Sequence, residues 1–194
     1  MNCKITLYYL SSEDDFSYTS MDNIDIKDPN GDIIAAVNSS FFASLAVEGC
    51  GKLQDGRVIN VAGWRLSTTD EQTILKNISN LHYRGRSIVG LSTSGKFIMT
   101  FSVVPNNWGY GNKGNELIPF KDVAADPNVY QFGTKLYISE LNGLSLPDGS
   151  KHDGYVVVGD VGSGIIGEHL DFFTGTKSNS RYINVPNVVS VSIV

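Results

Sequence analysis

Five Asx-Gly dipeptides punctuate this chain: Asn30-Gly31, Asp55-Gly56, Asn142-Gly143, Asp148-Gly149 and Asp153-Gly154. Each joins two residues that tolerate positive φ, so each marks a tight reversal between extended segments. The runs between and beside them, Ile5 to Leu10, Lys96 to Val104, Thr134 to Leu141, Tyr155 to Val158 and Val188 to Val194, are rich in β-branched and aromatic residues and read as strands. A content of 20 glycines fits the same class, as does 18% charged residues against a usual figure of roughly 25%. The chain is predicted to be mainly β.

One helix stands out. Thr69-Asp70-Glu71-Gln72 fits a capping box, and Ile74, Leu75, Ile78 and Leu81 then share one face, which predicts a helix from Glu71 to about Leu81. A shorter turn is expected around Ser40 to Ser44. The polar stretch Pro105 to Gly114, with Trp108 and Tyr110, reads as a long loop, a flap over a groove being the alternative. No repeat, low-complexity run or Pro/Ser-rich linker divides the 194 residues, which predicts a single domain, 1–194, with a helical and loop insertion around 68–115.

Net charge narrows the partners. A formal charge of -5 and a pI near 5.1 argue against nucleic acid, which demands a clustered basic surface. The most apolar stretch, Ile33 to Val47, is interrupted by Asn38, Ser39, Ser40 and Ser44, so no segment inserts into a membrane. The amino terminus does not read as a signal peptide. Cys3 and Cys50 are expected as free thiols and define no metal site.

Three aspartates lie beside small or turn residues: Asp126 before Pro127, Asp160 in Gly159-Asp160-Val161-Gly162, and Asp171 in Leu170-Asp171-Phe172-Phe173. The apolar flank of Asp171 predicts partial desolvation, which favours a protonated carboxyl able to act as a general acid. Asp126 also reads as a turn cap and Asp160 as an Asx tie for the glycine loop. Gly162-Ser163-Gly164-Ile165-Ile166-Gly167 satisfies G-x-G-x-x-G but is read as a decoy. A dinucleotide site needs a helix at its third glycine, and His169 to Phe173 alternates like a strand.

Val123-Ala124-Ala125-Asp126-Pro127, Phe132-Gly133-Thr134-Lys135-Leu136-Tyr137-Ile138, Gly159 to Gly167 and Leu170 to Phe173 together resemble the three-aspartate (3D) domain of bacterial cell-wall enzymes. That domain occurs in the membrane-bound lytic transglycosylase A family and in muralytic proteins of resuscitation and stationary-phase survival. Phe41-Phe42, Val47 to Leu53 and Asp55-Gly56-Arg57 resemble a further segment of the same transglycosylases. The resemblance implies a six-stranded double-psi β-barrel with one short α-helix, no cofactor or metal, and a monomer acting on peptidoglycan glycan strands. It implies cleavage of the MurNAc–GlcNAc β-1,4 bond with 1,6-anhydro ring formation. By position, Asp171 matches the catalytic acid and Asp160 the acid that supports it, while Asp126, Ser163, His169, Thr134 and Lys135 are candidates for substrate contact.

Two features depart from the pattern: Asp160-Val161-Gly162 replaces Asp-Thr-Gly, removing a hydroxyl, and Ile166 and His169 replace the usual Lys and Arg. Glu48, before the Gly49-Cys50-Gly51 turn, is a further candidate, either for a glycan hydroxyl or as a second carboxylate. Trp108, Tyr110, Tyr8 and Tyr9 are candidates for stacking on sugars. The competing readings are a non-catalytic, expansin-like glycan-binding barrel and, more weakly, a thiol enzyme using Cys50 with His169 or His152. The expected setting is the bacterial wall, reached as a phage lysin, a virion-borne protein or a trimmed secreted protein.

Overall fold

The computed structural model describes residues 1–17, 23–72, 82–83, 86–87, 97–162 and 164–194. The chain forms two compact units. One, the barrel unit, joins Met1–Leu10 to Tyr110–Val194; the other, the inserted unit, is Ser11–Gly109. This departs from the predicted single domain with an insertion around 68–115. The reason is that two separate sets of apolar side chains are buried, one around Ile5, Val123, Leu136, Val158, Leu170 and Phe172, the other around Ile24, Val37, Phe41, Leu45, Ile59 and Phe101.

β1 (Asn2–Tyr8) belongs to the barrel unit. The inserted unit follows. It contains β2 (Ser11–Ser12), β3 (Asn23–Lys27), β4 (Ile33–Asn38), helix α1 (Ser39–Glu48), β5 (Cys50–Lys52), β6 (Val58–Leu66), β7 (His82–Tyr83), β8 (Arg86–Ser87) and β9 (Phe97–Val104). Strands β2-β5-β6-β9 form one sheet, and β3-β4 and β7-β8 form two-stranded pairs. The chain re-enters the barrel unit with β10 (Asp122–Ala125), β11 (Lys135–Ile138), β12 (Tyr155–Asp160), β13 (His169–Phe173), helix α2 (Lys177–Tyr182) and β14 (Val188–Ile193).

Six strands pair around a closed ring in the order β1-β13-β10-β12-β11-β14. The β1·β13 and β10·β12 pairs are parallel and the remaining four are antiparallel. Alternation fills the ring from every strand: Cys3, Ile5, Val123, Ala125, Leu136, Ile138, Val156, Val158, Leu170, Phe172, Val189 and Val191 are all buried in its core. The intervening residues face outward.

Elements outside the barrel correct two local expectations. Ser40 to Ser44 is part of the ten-residue α1, not a short turn. The Asn38 side chain accepts the Ser40 N–H at 2.7 Å, and Gly49 closes the helix at φ 81° with its N–H on the Leu45 carbonyl. Burial of Phe41, Phe42, Ala43, Leu45 and Ala46 all round the helix erases the one-sided periodicity by which helices are recognised. The Gly49-Cys50-Gly51 segment therefore ends a helix and begins a strand rather than forming a turn.

At the second helix, residues 69–72 are helical, and the predicted continuation to Leu81 lies outside the described residues. The capping box begins one residue earlier than predicted. Thr68 N–H donates to Glu71 Oε2 at 2.9 Å while Glu71 N–H reaches Thr68 Oγ1 at 3.3 Å. After the glycine motif Gly162–Gly167 comes β13, not a helix. Cys3 and Cys50 are buried and unbridged. Among the described residues no helix is long and apolar enough to cross a membrane.

Candidate active site on the barrel

Strand register assembles the acids. Thr6 lies opposite Asp171, Asp171 opposite Ala124, and Ala124 opposite Asp160, so one lateral row crosses β1, β13, β10 and β12. Adjacent strands are about 4.8 Å apart, which separates the Asp160 and Asp171 backbones by about 10 Å with only the methyl of Ala124 between them. Because Ile5, Leu170, Phe172, Val123 and Ala125 point inward, Thr6, Asp171 and Ala124 face outward, and a register shift that skips Gly159 brings Asp160 opposite Ala124 although it shares the parity of the buried Val158. The same alternation divides the apolar flank expected around Asp171: Leu170 and Phe172 are fully buried on the opposite face of β13, and only Phe173 shares the face of the half-buried Asp171.

Asp171 Oδ1 instead accepts a 2.8 Å hydrogen bond from the Thr6 hydroxyl, and Thr6 Oγ1 lies 2.8 Å from His169 Nε2. A hydroxyl is thus present beside the acid although Val161 lacks one. It comes from β1, at the far end of the sequence. Burial, and then the neighbouring Lys4 ammonium, push the His169 imidazole below its usual pKa, while the Asp171 charge opposes them.

Asp160 is held from three directions. Its Oδ1 accepts the N–H groups of Asn112, at 2.9 Å, and Val161, at 2.8 Å, and its Oδ2 lies 3.3 Å from the Tyr8 hydroxyl. Burial raises its pKa, against the lowering effect of these donors. Asn112 belongs to the segment read as a loop, and Tyr8, named for sugar stacking, sits against Phe173 with ring centroids 5.0 Å apart. Asp122, which the sequence reading passed over, is more deeply buried. Its Oδ2 accepts the Ile118 N–H at 2.7 Å, and burial followed by the Asp160 charge raises its pKa. A Cβ at Gly159 would lie 2.7 Å from the Asp122 carboxyl carbon, so a residue without a side chain is required there.

The other candidates are placed as follows. Asp126 Oδ2 accepts the Gly167 N–H at 2.8 Å, and Oδ1 accepts the Asn128 N–H and side-chain amide at 2.9 and 3.0 Å. The Gly167 bond first, and then those to Asn128, hold its pKa below the ordinary range. These bonds tie the end of β10 to the glycine loop. Thr134 and Lys135 are at the start of β11, which lies opposite β13 in the ring. Lys135 Nζ is 4.5 Å from the centre of the Tyr155 ring. Glu48 ends α1 in the inserted unit, and Ser163 lies outside the described residues. His152 is buried: its Nδ1 accepts the Gly154 N–H at 2.8 Å and its Nε2 is 2.7 Å from the Phe120 carbonyl. Among the described residues no group of three His, Cys, Asp or Glu side chains is placed to hold a metal ion.

Residues 121–184 match the family model of the 3D domain. No curated protein matches the chain. Among solved structures, Escherichia coli MltA with bound chitohexaose is 16% identical with a TM-score of 0.55, covering 99% of this chain and 72% of that one. Another structure of E. coli MltA, described as a unique lytic transglycosylase fold, is 17% identical with a TM-score of 0.53 and coverages of 99% and 71%. A membrane-bound lytic murein transglycosylase from Agrobacterium tumefaciens is 15% identical with a TM-score of 0.53 and coverages of 99% and 73%. Resemblance at these identities is one of fold. The matched residues, which hold Asp122, Asp126, Asp160 and Asp171, are similar to a 3D domain, and the fold of the chain is similar to that of MltA.

Proposed function

We propose that this protein is a peptidoglycan lytic transglycosylase, cleaving the MurNAc–GlcNAc β-1,4 bond with Asp171 as the single general acid and base. The observation that carries this reading is the half-buried Asp171 carboxyl, held by the Thr6 hydroxyl on the outer face of the barrel in one row with Asp160, within the residues that match the 3D domain. The chitohexaose bound by the E. coli MltA of similar fold supports a glycan as ligand. We also assign the ring to the double-psi class, on the strength of its two parallel strand pairs.

Transglycosylation needs one principal carboxyl, because the nucleophile is the C6 hydroxyl of the muramic acid itself. Asp171 gives its proton to the glycosidic oxygen as the bond breaks through an oxocarbenium-like state. The resulting carboxylate accepts the C6 hydroxyl proton as the anhydro ring closes, which restores the acid. Asp160 supplies a fixed carboxylate to stabilise the positive sugar, and the N–H groups of Asn112 and Val161 keep it from turning away. Asp126 preserves the glycine loop.

Purified sacculi incubated with the protein are expected to release anhydro-ended muropeptides. Asp171→Asn keeps the far-ultraviolet circular dichroism of the wild type and lowers release by 10²-fold or more, roughly the contribution of a general acid–base group. Substantial turnover by the folded variant overturns the role of Asp171. Co-sedimentation of the wild type with sacculi without any product replaces the enzyme with a wall-binding barrel.

A further inference from the structure

We propose that His169, acting through the Thr6 hydroxyl, is a positioning residue that selects which oxygen of Asp171 carries the catalytic proton. This rests on Asp171 being the acid and adds a second group to that reading. Thr6 Oγ1 is 2.8 Å from both Asp171 Oδ1 and His169 Nε2, and a hydroxyl has a single hydrogen to give. When that hydrogen points at Oδ1, the contact to His169 is completed only by Nε2–H donating to Oγ1. Oδ1 is then an acceptor, and a proton on Asp171 sits on Oδ2.

The other imidazole tautomer reverses the chain. With its hydrogen on Nδ1, the ring presents Nε2 as an acceptor, the hydroxyl turns toward it, and Oγ1 accepts from a proton on Oδ1. That proton is engaged by the barrel's own hydrogen bond and is withheld from a sugar. The Nε2–H tautomer of His169 is therefore the productive one.

The surroundings keep the choice open to one nitrogen at a time. Burial and Lys4 favour the neutral ring, which carries one N–H. Lys4 lies directly opposite His169 on β1, and Asp171 is two residues along on β13. The carboxylate of Asp126, at the end of β10, is engaged by Gly167 and Asn128.

The test pairs nitrogen-15 NMR of the histidine rings with kinetics on sacculi. Wild-type His169 is expected as the Nε2–H tautomer, a preference lost in Thr6→Val and kept in Thr6→Ser. Thr6→Val and His169→Leu are expected to lower kcat about tenfold, the effect of one hydrogen bond to a charged group, with KM within about twofold. Thr6→Ser, and His169→Gln with its amide donor, restore kcat. An Nδ1–H ring in the wild type overturns the proposal whatever the activity, and so does an unchanged kcat in folded Thr6→Val. A wild type that releases no product, with an Nε2–H ring that depends on Thr6, overturns the assigned reaction while leaving the hydrogen-bond arrangement standing.

Discussion

At the scale of the residue, the barrel's acids divide by what surrounds them. Asp126 is surrounded by donors and its pKa is lowered, whereas burial raises Asp122 and Asp160. A carboxyl whose folded pKa is raised binds more protons folded than unfolded across the interval between its ordinary value and the raised one. Its contribution to stability is present at low pH and is lost as pH rises through the folded value. Chemical denaturation from about pH 4 to 7 is therefore expected to show a steeper fall in barrel stability for the wild type than for Asp122→Asn, and parallel curves would contradict the assignment. His152 has the opposite sign: burial depresses its pKa, so its contribution is full above the ordinary histidine range and declines as pH falls through the depressed value. It is common to both proteins and cancels in the comparison. Asp126, Asp160 and Asp171 were recognisable in the sequence because small and turn residues flank them. Asp122 reads there as an ordinary charge beside Lys121, and only the turn that brings the Ile118 N–H onto its carboxylate reveals its burial. Thr6 is a local cipher, since its role arises from a partner 165 positions away.

At the scale of the element, the inserted unit places Glu71 where several segments meet. Its carboxylate accepts from Lys27 of β3 at 2.9 Å, from Arg65 of β6 at 2.5 and 3.1 Å, and from the Thr68 N–H at 2.9 Å. Burial opposes its ionisation, but these donors outweigh it and draw the pKa down to about 2. Here the folded value is depressed, so the stabilisation is present above the ordinary glutamate pKa and is lost as pH falls toward 2. Glu71→Gln is expected to cost the inserted unit ~3 kcal/mol at neutral pH by leaving two cations without their counter-charge, as measured by urea denaturation. The penalty should shrink in acid; a variant within about 0.5 kcal/mol of the wild type would refute it. Strands β9 and β14, rich in β-branched and aromatic residues, could be read from the sequence to within a residue or so. Helix α1 could not, because an apolar run buried on all sides has neither period, and its start and stop lie in Asn38 and Gly49 rather than in the run itself.

At the scale of the whole molecule, each unit buries its own apolar set, which predicts that each reports its unfolding separately. Both tryptophans, Trp64 and Trp108, belong to the inserted unit. Tryptophan fluorescence should therefore follow that unit alone while far-ultraviolet circular dichroism follows both, and Glu71→Gln should move the fluorescence midpoint further than the dichroism midpoint. Coincident shifts would mean that the two cores melt as one. The mainly β class was apparent from turns and strand runs, but the division into units was not, because no change of composition marks Leu10 or Tyr110. What marks them is which buried residues touch, a property of pairing and not of local sequence. The parallel pairing of β1 with β13 has a further consequence during synthesis. Strand β1 leaves the ribosome long before its two neighbours, β13 and β14, on the order of ten seconds ahead of them. Ring closure is thus a late, long-loop event, and the threonine that steadies the acid is the first part of the site to be made and among the last to find its place.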